Sequence, residues 1–327
     1  MIEPHSRRVV TSGRPPHPRA ISGLARKGLT ATDCIVLLVI VALVVLVLLM
    51  VLPRGREHAR SAACQNNLAH IGFALAQYDD LMHELPKIAA VAGPDERREA
   101  RPKSPLRMLL ETLEQPSLLG LKDQKTPPER RPGEVPGEVP VAGFVCASDP
   151  NATSGLFTAP ISYRACSGDM PGGENGAFAT GRTMTLRNIQ EQDGLSYTAA
   201  FSERLVGDNV SNHPAAFNYM ILSGHVPDLA CPPPSGSSVW RGDAGSSWSG
   251  SDYRSTLYNH ALPPGGQPSC IAKGGQDALM GASSGHVPGI NLLFMDGRVM
   301  VVRPSIDAKI WKEFARIGTT ETDDPGE

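Results

Sequence analysis

The chain has 327 residues with a formal net charge of −2, and it contains 33 glycines and 29 prolines. This slightly acidic balance excludes nucleic acid as an expected partner, because phosphate backbones are bound by clustered Lys and Arg. Abundant Gly and Pro with only 5% aromatic residues are typical of a loop-rich domain with short strands, and they disfavour a helical bundle.

An uninterrupted apolar run lies near the amino terminus. Residues 35–52 contain no charged residue, no Gly and no Pro. A helix rises about 1.5 Å per residue, so this run can cross a hydrocarbon layer roughly 30 Å thick. More Lys and Arg residues precede the run than follow it closely, which places the preceding segment in the cytoplasm. We therefore predict a single-pass inner-membrane protein, amino terminus inside, with its carboxy-terminal domain in the periplasm or at the cell surface.

A second helical pattern follows the apolar run after Pro53. Apolar residues then recur at spacings of three and four, the stripe of an amphipathic helix. They are Cys64, Leu68, Ile71, Leu75, Tyr78 and Met82. Pro53 is tolerated as a kink, and Pro86 ends the helix at Leu85. We predict one continuous transmembrane and amphipathic helix over residues 29–85.

Residues 86–327 have the pattern of a separate extracytoplasmic head domain. Residues 106–113 predict a short helix, and after Phe144 short apolar segments alternate with turn residues. Asp296-Gly297, flanked by alternating apolar residues, predicts a hairpin with a type I′ turn. Asp307 is expected to cap a final helix with Ile310, Trp311, Phe314 and Ile317 on its apolar face. The fold class is therefore α+β: a long helix packed on a mainly antiparallel β head.

Six cysteines constrain the redox chemistry of the chain. There is no C-x-x-C pair, so neither a zinc knuckle nor a thioredoxin-type motif is indicated. Cys231 and Cys270 flank a Gly/Ser/Pro-rich segment, and we predict that they form a disulfide in an oxidising compartment. Five cysteines follow the apolar run, so at least one must be free or intermolecular.

The sequence contains fragments of catalytic and metal-binding patterns, and none of them is complete. Residues 281–285 fit G-x-S-x-G, but a nucleophile elbow requires a strand before the Ser and a helix after it. His286 and Asp296 could form an ion site or an acid–base pair. We expect instead that His286 hydrogen-bonds nearby backbone beside the hairpin. Aspartates near Gly or Asn could bind Ca²⁺, but no EF-hand pattern occurs. The expectation is no catalysis, no resident metal and no cofactor.

The residues before the apolar run resemble a type IV prepilin signal. Arg26, Lys27 and Gly28 precede Leu29, and Asp33 lies four residues further on. The resemblance implies a leader at residues 1–28, cleavage by the prepilin peptidase after Gly28 and methylation of the new terminus at Leu29. In that family Phe usually stands first and Glu fifth, so Leu29 and Asp33 depart from the pattern. Asp33 keeps the carboxylate that pairs with a neighbouring subunit's amine.

Five further segments are similar to one prepilin-like family. They are CQNNLAHIGFALAQY at 64–78, LLETLEQ at 109–115, FVCASDP at 144–150, IQEQDGLSYTAAFSER at 189–204, and an H-x9-D-G region at 286–297 comprising His286, Asp296 and Gly297. The family is known from planctomycete-type bacteria and is catalogued as bacterial solute-binding protein type 10, domain of unknown function 1559. The resemblance implies pilin-like topology and no established activity.

Three functions follow as hypotheses. The first is a pilin-like or pseudopilin-like structural protein that self-associates, or assembles with other pilin-like subunits, through its amino-terminal helix. The second is a membrane-tethered solute-binding protein, which would need a cleft between lobes. The third is a metal-dependent surface enzyme. The context of Gly28 and Asp33 favours the first, because a simple tether would not need it.

Overall fold

A computed structural model describes residues 30–88, 104–113, 139–266, 268–275 and 277–318. Its longest element is helix α1, Ala31–Met82, of 52 residues. The chain divides into two compact units, Met1–Leu52 and Pro53–Glu327, and α1 contributes to both.

The first unit consists, in its described part, of the apolar beginning of α1. The span Ala31–Leu49 has a mean hydropathy of 3.2, and none of it is buried. By length and composition this helix could cross a membrane, although a signal sequence has the same properties. Asp33, in the first helical turn, accepts hydrogen bonds from Thr30 N and Thr30 Oγ1 at 3.0 and 2.7 Å.

The second unit contains two mixed β-sheets and short helices. The helices are α2 Pro105–Met108, α3 Leu186–Gln192 and α4 Ala308–Glu313. The strands are β1 Tyr163–Cys166, β2 Ala199–Glu203, β3 Tyr219–Leu222, β4 Val239–Arg241, β5 Leu257–Tyr258, β6 Ser269–Ala272, β7 Ala278–Leu279, β8 Ile290–Phe294 and β9 Val299–Val302. One sheet has the order β5-β1-β2-β8-β9 and the other β4-β3-β6-β7.

The five-stranded sheet is covered by a helix on each face. On one face, the amphipathic half of α1 packs its buried stripe against Tyr163, Phe201 and Leu293. On the other face, Trp311 of α4 packs with Leu292 and Phe294. All five strand residues of β2 and of β8 are buried, as expected for strands between two apolar layers. This double packing fixes the positions of the inner strands β2 and β8.

The four-stranded sheet has its own smaller core. Met220, Trp240 and Leu279 pack there with Cys231 and Cys270. Cys231 and Cys270 form a disulfide with Cα atoms 5.9 Å apart. Their bond joins an irregular loop to strand β6 and closes the segment between the two sulfurs.

The β-sheets are mainly antiparallel, as expected, but both are mixed, because β1 pairs in parallel with β5 and β3 pairs in parallel with β6. One sequence-based expectation of the fold needs correction. The β8–β9 hairpin forms as predicted, but its turn is not type I′. Phe294 pairs with Arg298 across a three-residue loop, and Gly297 has φ 84° while Asp296 is not among the residues of positive φ. This geometry matches a type I turn followed by a G1 bulge, which needs only the Gly at positive φ.

Helix details also differ from the pattern. Of the predicted α1 stripe, Met82 is 49% exposed while the other five residues are buried. The helix ends at Met82, because His83 adopts φ 56°. Helix α2 is shorter than the predicted 106–113 segment. Asp307 does cap α4, accepting hydrogen bonds from Lys309 N and Ile310 N at 2.8 and 3.2 Å.

Candidate functional site

The helical segment CQNNL of α1 docks through both apolar and polar side chains. Cys64 and Leu68 are completely buried against the sheet. Between them, Asn67 Nδ2 donates to the Val145 carbonyl and to Tyr163 Oη, each at 3.3 Å. Gln65 Nε2 donates to Asn291 Oδ1 of β8 at 3.1 Å. These contacts set the rotation of α1 so that the Cys64 sulfur faces the loop containing Cys146.

A second loop approaches the Cys146 loop very closely. A Cβ on Gly285 would collide with the carbonyl oxygen of Ser148, so only Gly allows this approach. The next residue, His286, is anchored by its backbone N, which donates to Ser284 Oγ at 3.0 Å. Gly285 therefore brings the His286 imidazole beside the sulfur of Cys146.

Four side chains converge at this point to form the Cys64/Cys146/Glu203/His286 cluster. Cys64 and Cys146 form a disulfide with Cα atoms 5.3 Å apart. His286 Nε2 lies 3.2 Å from Cys146 Sγ and 3.4 Å from Glu203 Oε1. One ligand atom from each residue lies within 4.8 Å of every other, and all four residues are buried.

The other nitrogen of His286 contacts a second carboxylate. His286 Nδ1 is 2.6 Å from Glu57 Oε1. Glu57 is held in turn by Arg60, whose Nε and Nη2 donate to Oε2 at 3.0 and 2.8 Å. Ser148 Oγ also donates to Glu57 Oε1 at 3.2 Å. The imidazole is therefore fixed on both sides, with its ring plane set by Glu57.

Glu203, the last residue of β2, is held by the neighbouring strand. Its Oε2 accepts from Asn291 N and its Oε1 from Asn291 Nδ2, both at 2.9 Å. The Glu203 side chain is only 2% exposed. Since Gln65 of α1 contacts the same Asn291, the helix, β2 and β8 together fix the position of this carboxylate.

The electrostatics of the cluster favour charge on the imidazole when no cation is present. Burial alone would lower the pKa of His286, but hydrogen bonds and charge from Glu203 and Glu57 outweigh it and raise the pKa. Burial would likewise raise the pKa of Glu57, but His286 and Arg60 outweigh it and lower the pKa. The environment therefore stabilises the protonated, positively charged imidazole between the two carboxylates.

Two arginines form another buried polar feature close by. Arg164 Nη1 donates to the Tyr253 carbonyl at 3.1 Å, and Arg204 Nη1 donates to the Gly281 carbonyl at 3.2 Å. The Nε and Nη2 atoms of both have no hydrogen-bond partner among the described residues. Burial lowers the pKa of Arg164 to about 10, and the Asp149 carboxylate acts in the opposite direction. Unpaired buried guanidinium groups are costly and indicate a position where an anion or water would be favoured.

The residues singled out from the sequence lie in different places. Gly28 and Leu29 fall outside the described residues. Asp33 begins α1, and Cys231 and Cys270 lie at the four-stranded sheet. Asp296 Oδ1 accepts from Arg298 N at 2.9 Å, and it is not part of the cluster around His286.

The expectation for His286 was wrong in its contacts. Its ring does not tie the loop to backbone but contacts Cys146, Glu203 and Glu57 side chains. Cys64, Cys146, Glu203 and His286 lie in four separate segments that resemble the family. The resemblance did not predict that these residues meet. Each segment carries a residue of a type that binds metals, and this was the available sequence signal for the cluster. No sequence signal marked Glu57.

Comparison with curated proteins and with solved structures gives no significant match. A family model does match: SBP_bac_10, described as "Protein of unknown function (DUF1559)", covers residues 53–309. This range includes all four residues of the cluster and both sheets. Because the match extends over most of the chain, the protein belongs to the DUF1559 family.

Proposed function

We propose that this protein is a pilin-like structural membrane protein that assembles through the first part of α1 and performs no catalysis. The observation that carries the proposal is the apolar span Ala31–Leu49, of which none is buried. Inside a membrane such a helix gains nothing further from the hydrophobic effect, so its association with other helices depends on packing and polar contacts.

Asp33 supports assembly over simple anchoring. An ionisable residue within an apolar span is costly, and it usually marks a functional contact. Among the described residues, the side chain that hydrogen-bonds the Asp33 carboxylate is that of its near neighbour Thr30, which also donates its backbone N. In the proposed assembly the carboxylate pairs with the free amine that prepilin peptidase exposes on Leu29 of a neighbouring subunit, and this pairing sets the axial register between helices.

The orientation of the protein follows from the same proposal. The basic leader stays in the cytoplasm, and the unit from Pro53 onward folds in the periplasm or at the cell surface. The Cys231–Cys270 disulfide supports this placement, because such bonds persist in oxidising compartments.

Co-purification tests the assembly. Two differently tagged copies of the full chain are produced together with prepilin peptidase and extracted in mild detergent. We expect the wild-type copies to co-purify, Asp33→Asn to lose this association, and Asp33→Glu to retain it, because Glu keeps the carboxylate. Equal co-purification of Asp33→Asn and Asp33→Glu would contradict the proposed role of the charge.

A second function, binding of a small anion by the tethered unit, is favoured by Arg164 and Arg204. The cleft beside Arg204, lined also by Asp149 and Ser283, is too narrow to admit a water molecule in this structure. An anion of phosphate or sulfate size would therefore bind there only after the cleft opens. Stabilisation of the wild type by phosphate, compared with chloride at equal ionic strength, and its loss in Arg204→Met would support this function.

A further inference from the structure

We propose that Cys64, Cys146, Glu203 and His286 form a redox-gated site for a Zn²⁺-class ion, which binds when the Cys64–Cys146 disulfide is reduced. Two sulfurs, one imidazole nitrogen and one carboxylate oxygen are the ligand types and the ligand number of a tetrahedral zinc site. Their four ligand atoms lie within 4.8 Å of one another.

Two distances between ligand atoms lie close to the edges of a tetrahedron around such an ion. Bonds of about 2.0–2.3 Å to nitrogen, oxygen and sulfur imply tetrahedral edges of roughly 3.3–3.8 Å. The edge from His286 Nε2 to Glu203 Oε1 measures 3.4 Å, within this range, and the edge from Nε2 to Cys146 Sγ measures 3.2 Å, just below it. Reduction frees the two sulfurs to separate to about 3.7 Å, the edge between two sulfur ligands.

The surrounding hydrogen bonds are those of a supported metal site. A metal-binding His usually places its other ring nitrogen on a carboxylate, which fixes the ring and raises its basicity. Here Glu57 Oε1 occupies that position, 2.6 Å from His286 Nδ1. The Glu203 carboxylate is oriented by two bonds from Asn291. The side chains of His286 and Glu203 are therefore oriented before any ion binds.

A structural disulfide alone leaves this arrangement unexplained. A disulfide needs only apolar packing, whereas burying an imidazole and a carboxylate beside it costs free energy. His286 and Glu203 side chains are 3% and 2% exposed, respectively. The ion pairs of His286 with Glu203 and Glu57 balance these charges in the oxidised state, and the position of Nε2 against the Cys146 sulfur is the feature that a four-ligand site adds.

Thiol–disulfide exchange converts the oxidised state into the reduced state. A dithiol reductant attacks the Cys64–Cys146 disulfide, the sulfur–sulfur bond breaks, and a new disulfide forms within the reductant. The two cysteines receive two electrons from the dithiol and two protons. Binding of M²⁺ then forms bonds to both sulfurs, to His286 Nε2 and to a Glu203 oxygen, and it releases two thiol protons and the Nε2 proton of the imidazolium to solvent. Oxidation by a disulfide-class oxidant reverses the process and releases the ion.

Both states keep α1 attached to the sheet by a cross-link. The disulfide joins Cys64 to the Cys146 loop, and the metal state would add β2, through Glu203, and the loop before β8, through His286. The cluster would therefore let the amphipathic half of α1 stay docked under either reducing or oxidising conditions.

Metal titration of the full chain in detergent tests the site. The protein is stripped with a chelator, reduced with a phosphine, and titrated with Zn²⁺ against a chromophoric competitor. We expect one Zn²⁺ per reduced chain and an affinity at least about 100-fold weaker for the oxidised chain, which lacks thiolate ligands. Co²⁺ in place of Zn²⁺ should give the ligand-field and thiolate charge-transfer bands of a tetrahedral site.

Variants separate this site from other thiols. Cys64→Ser and His286→Gln should abolish stoichiometric binding, while Cys166→Ser and Cys231→Ser, which change sulfurs outside the cluster, should retain it. Glu57→Gln should weaken Zn²⁺ binding about 10–100-fold and keep the thiolate-to-Co²⁺ bands, since Glu57 is a positioning residue and not a ligand.

Three outcomes would overturn the proposal. The first is a reduced, folded wild-type chain that binds no stoichiometric Zn²⁺. The second is binding that survives His286→Gln but disappears in Cys231→Ser, which would assign the ion to the other cysteine pair. The third is loss of the fold on reduction that Zn²⁺ does not prevent. Circular dichroism of every sample distinguishes the third outcome from the first.

Discussion

Replacing Leu68 by Ala tests how firmly α1 is docked on the five-stranded sheet. Leu68 is completely buried in the stripe that faces the sheet. Truncating a buried Leu costs about 2–5 kcal/mol, and the cost is highest where the surroundings cannot collapse into the cavity. The helix is restrained one turn earlier by the Cys64–Cys146 disulfide and at Asn67 by two hydrogen bonds. We therefore expect the upper part of that range, about 3–5 kcal/mol.

The matched control is Phe73→Ala on the same helix. Phe73 is 65% exposed, so its truncation should change stability by less than about 0.5 kcal/mol. Urea unfolding and thermal melts of the oxidised full chain, followed by tryptophan fluorescence, measure both variants. Leu68→Ala should lower Tm by about 6–15 °C. A shift in Leu68→Ala no larger than in Phe73→Ala would show that this part of α1 is not packed on the sheet.

Three further predictions concern other parts of the folded unit. Burial lowers the pKa of His260 to about 3. Its contribution to stability is therefore complete above pH 6.5, and the free energy of unfolding falls by about 1.4 kcal/mol for each unit as the pH is lowered from 6.5 to 3. His260→Gln should flatten this slope in urea titrations, and an unchanged slope would refute the prediction. Gly297→Val should destabilise by about 1 kcal/mol or more, because Gly297 has φ 84°, whereas Gly224→Ala, with no neighbour within 4 Å, should be nearly neutral in the same assay. Non-reducing peptide mapping should recover Cys231 joined to Cys270, whose removal costs about 3–4 kcal/mol for a separation of 39 residues; two free thiols would contradict it.

Local patterns predicted the elements that short-range chemistry determines. The spacing of Cys64, Leu68, Ile71 and Leu75 identified the buried face of α1, because helical periodicity is visible in the sequence. The Asp307 cap and the β8–β9 hairpin were predicted from single side chains and one dipeptide. The turn type was wrong because Arg298 pairs with Phe294 and not with Met295, so the loop contains Met295 in addition to Asp296 and Gly297.

The candidate site depended on contacts that no local pattern contains. Cys64 and Cys146 are 82 residues apart in sequence, and Glu57 and His286 are 229 apart. Their meeting depends on the rotation of α1, on the pairing of β2 with β8, and on the Gly285 approach. The parallel pairing of β1 with β5 and of β3 with β6 likewise depends on long connections that the sequence does not specify locally.

The mass of the mature amino terminus tests the pilin-like proposal most directly. The full chain is produced with an active prepilin peptidase, isolated from membranes, and its amino-terminal peptide is sequenced by mass spectrometry. The proposal predicts a chain that begins at Leu29 with a methylated amine, and a Gly28→Ala variant that retains the leader. A wild-type chain that begins at Met1, or that is cut after the apolar span, would contradict it.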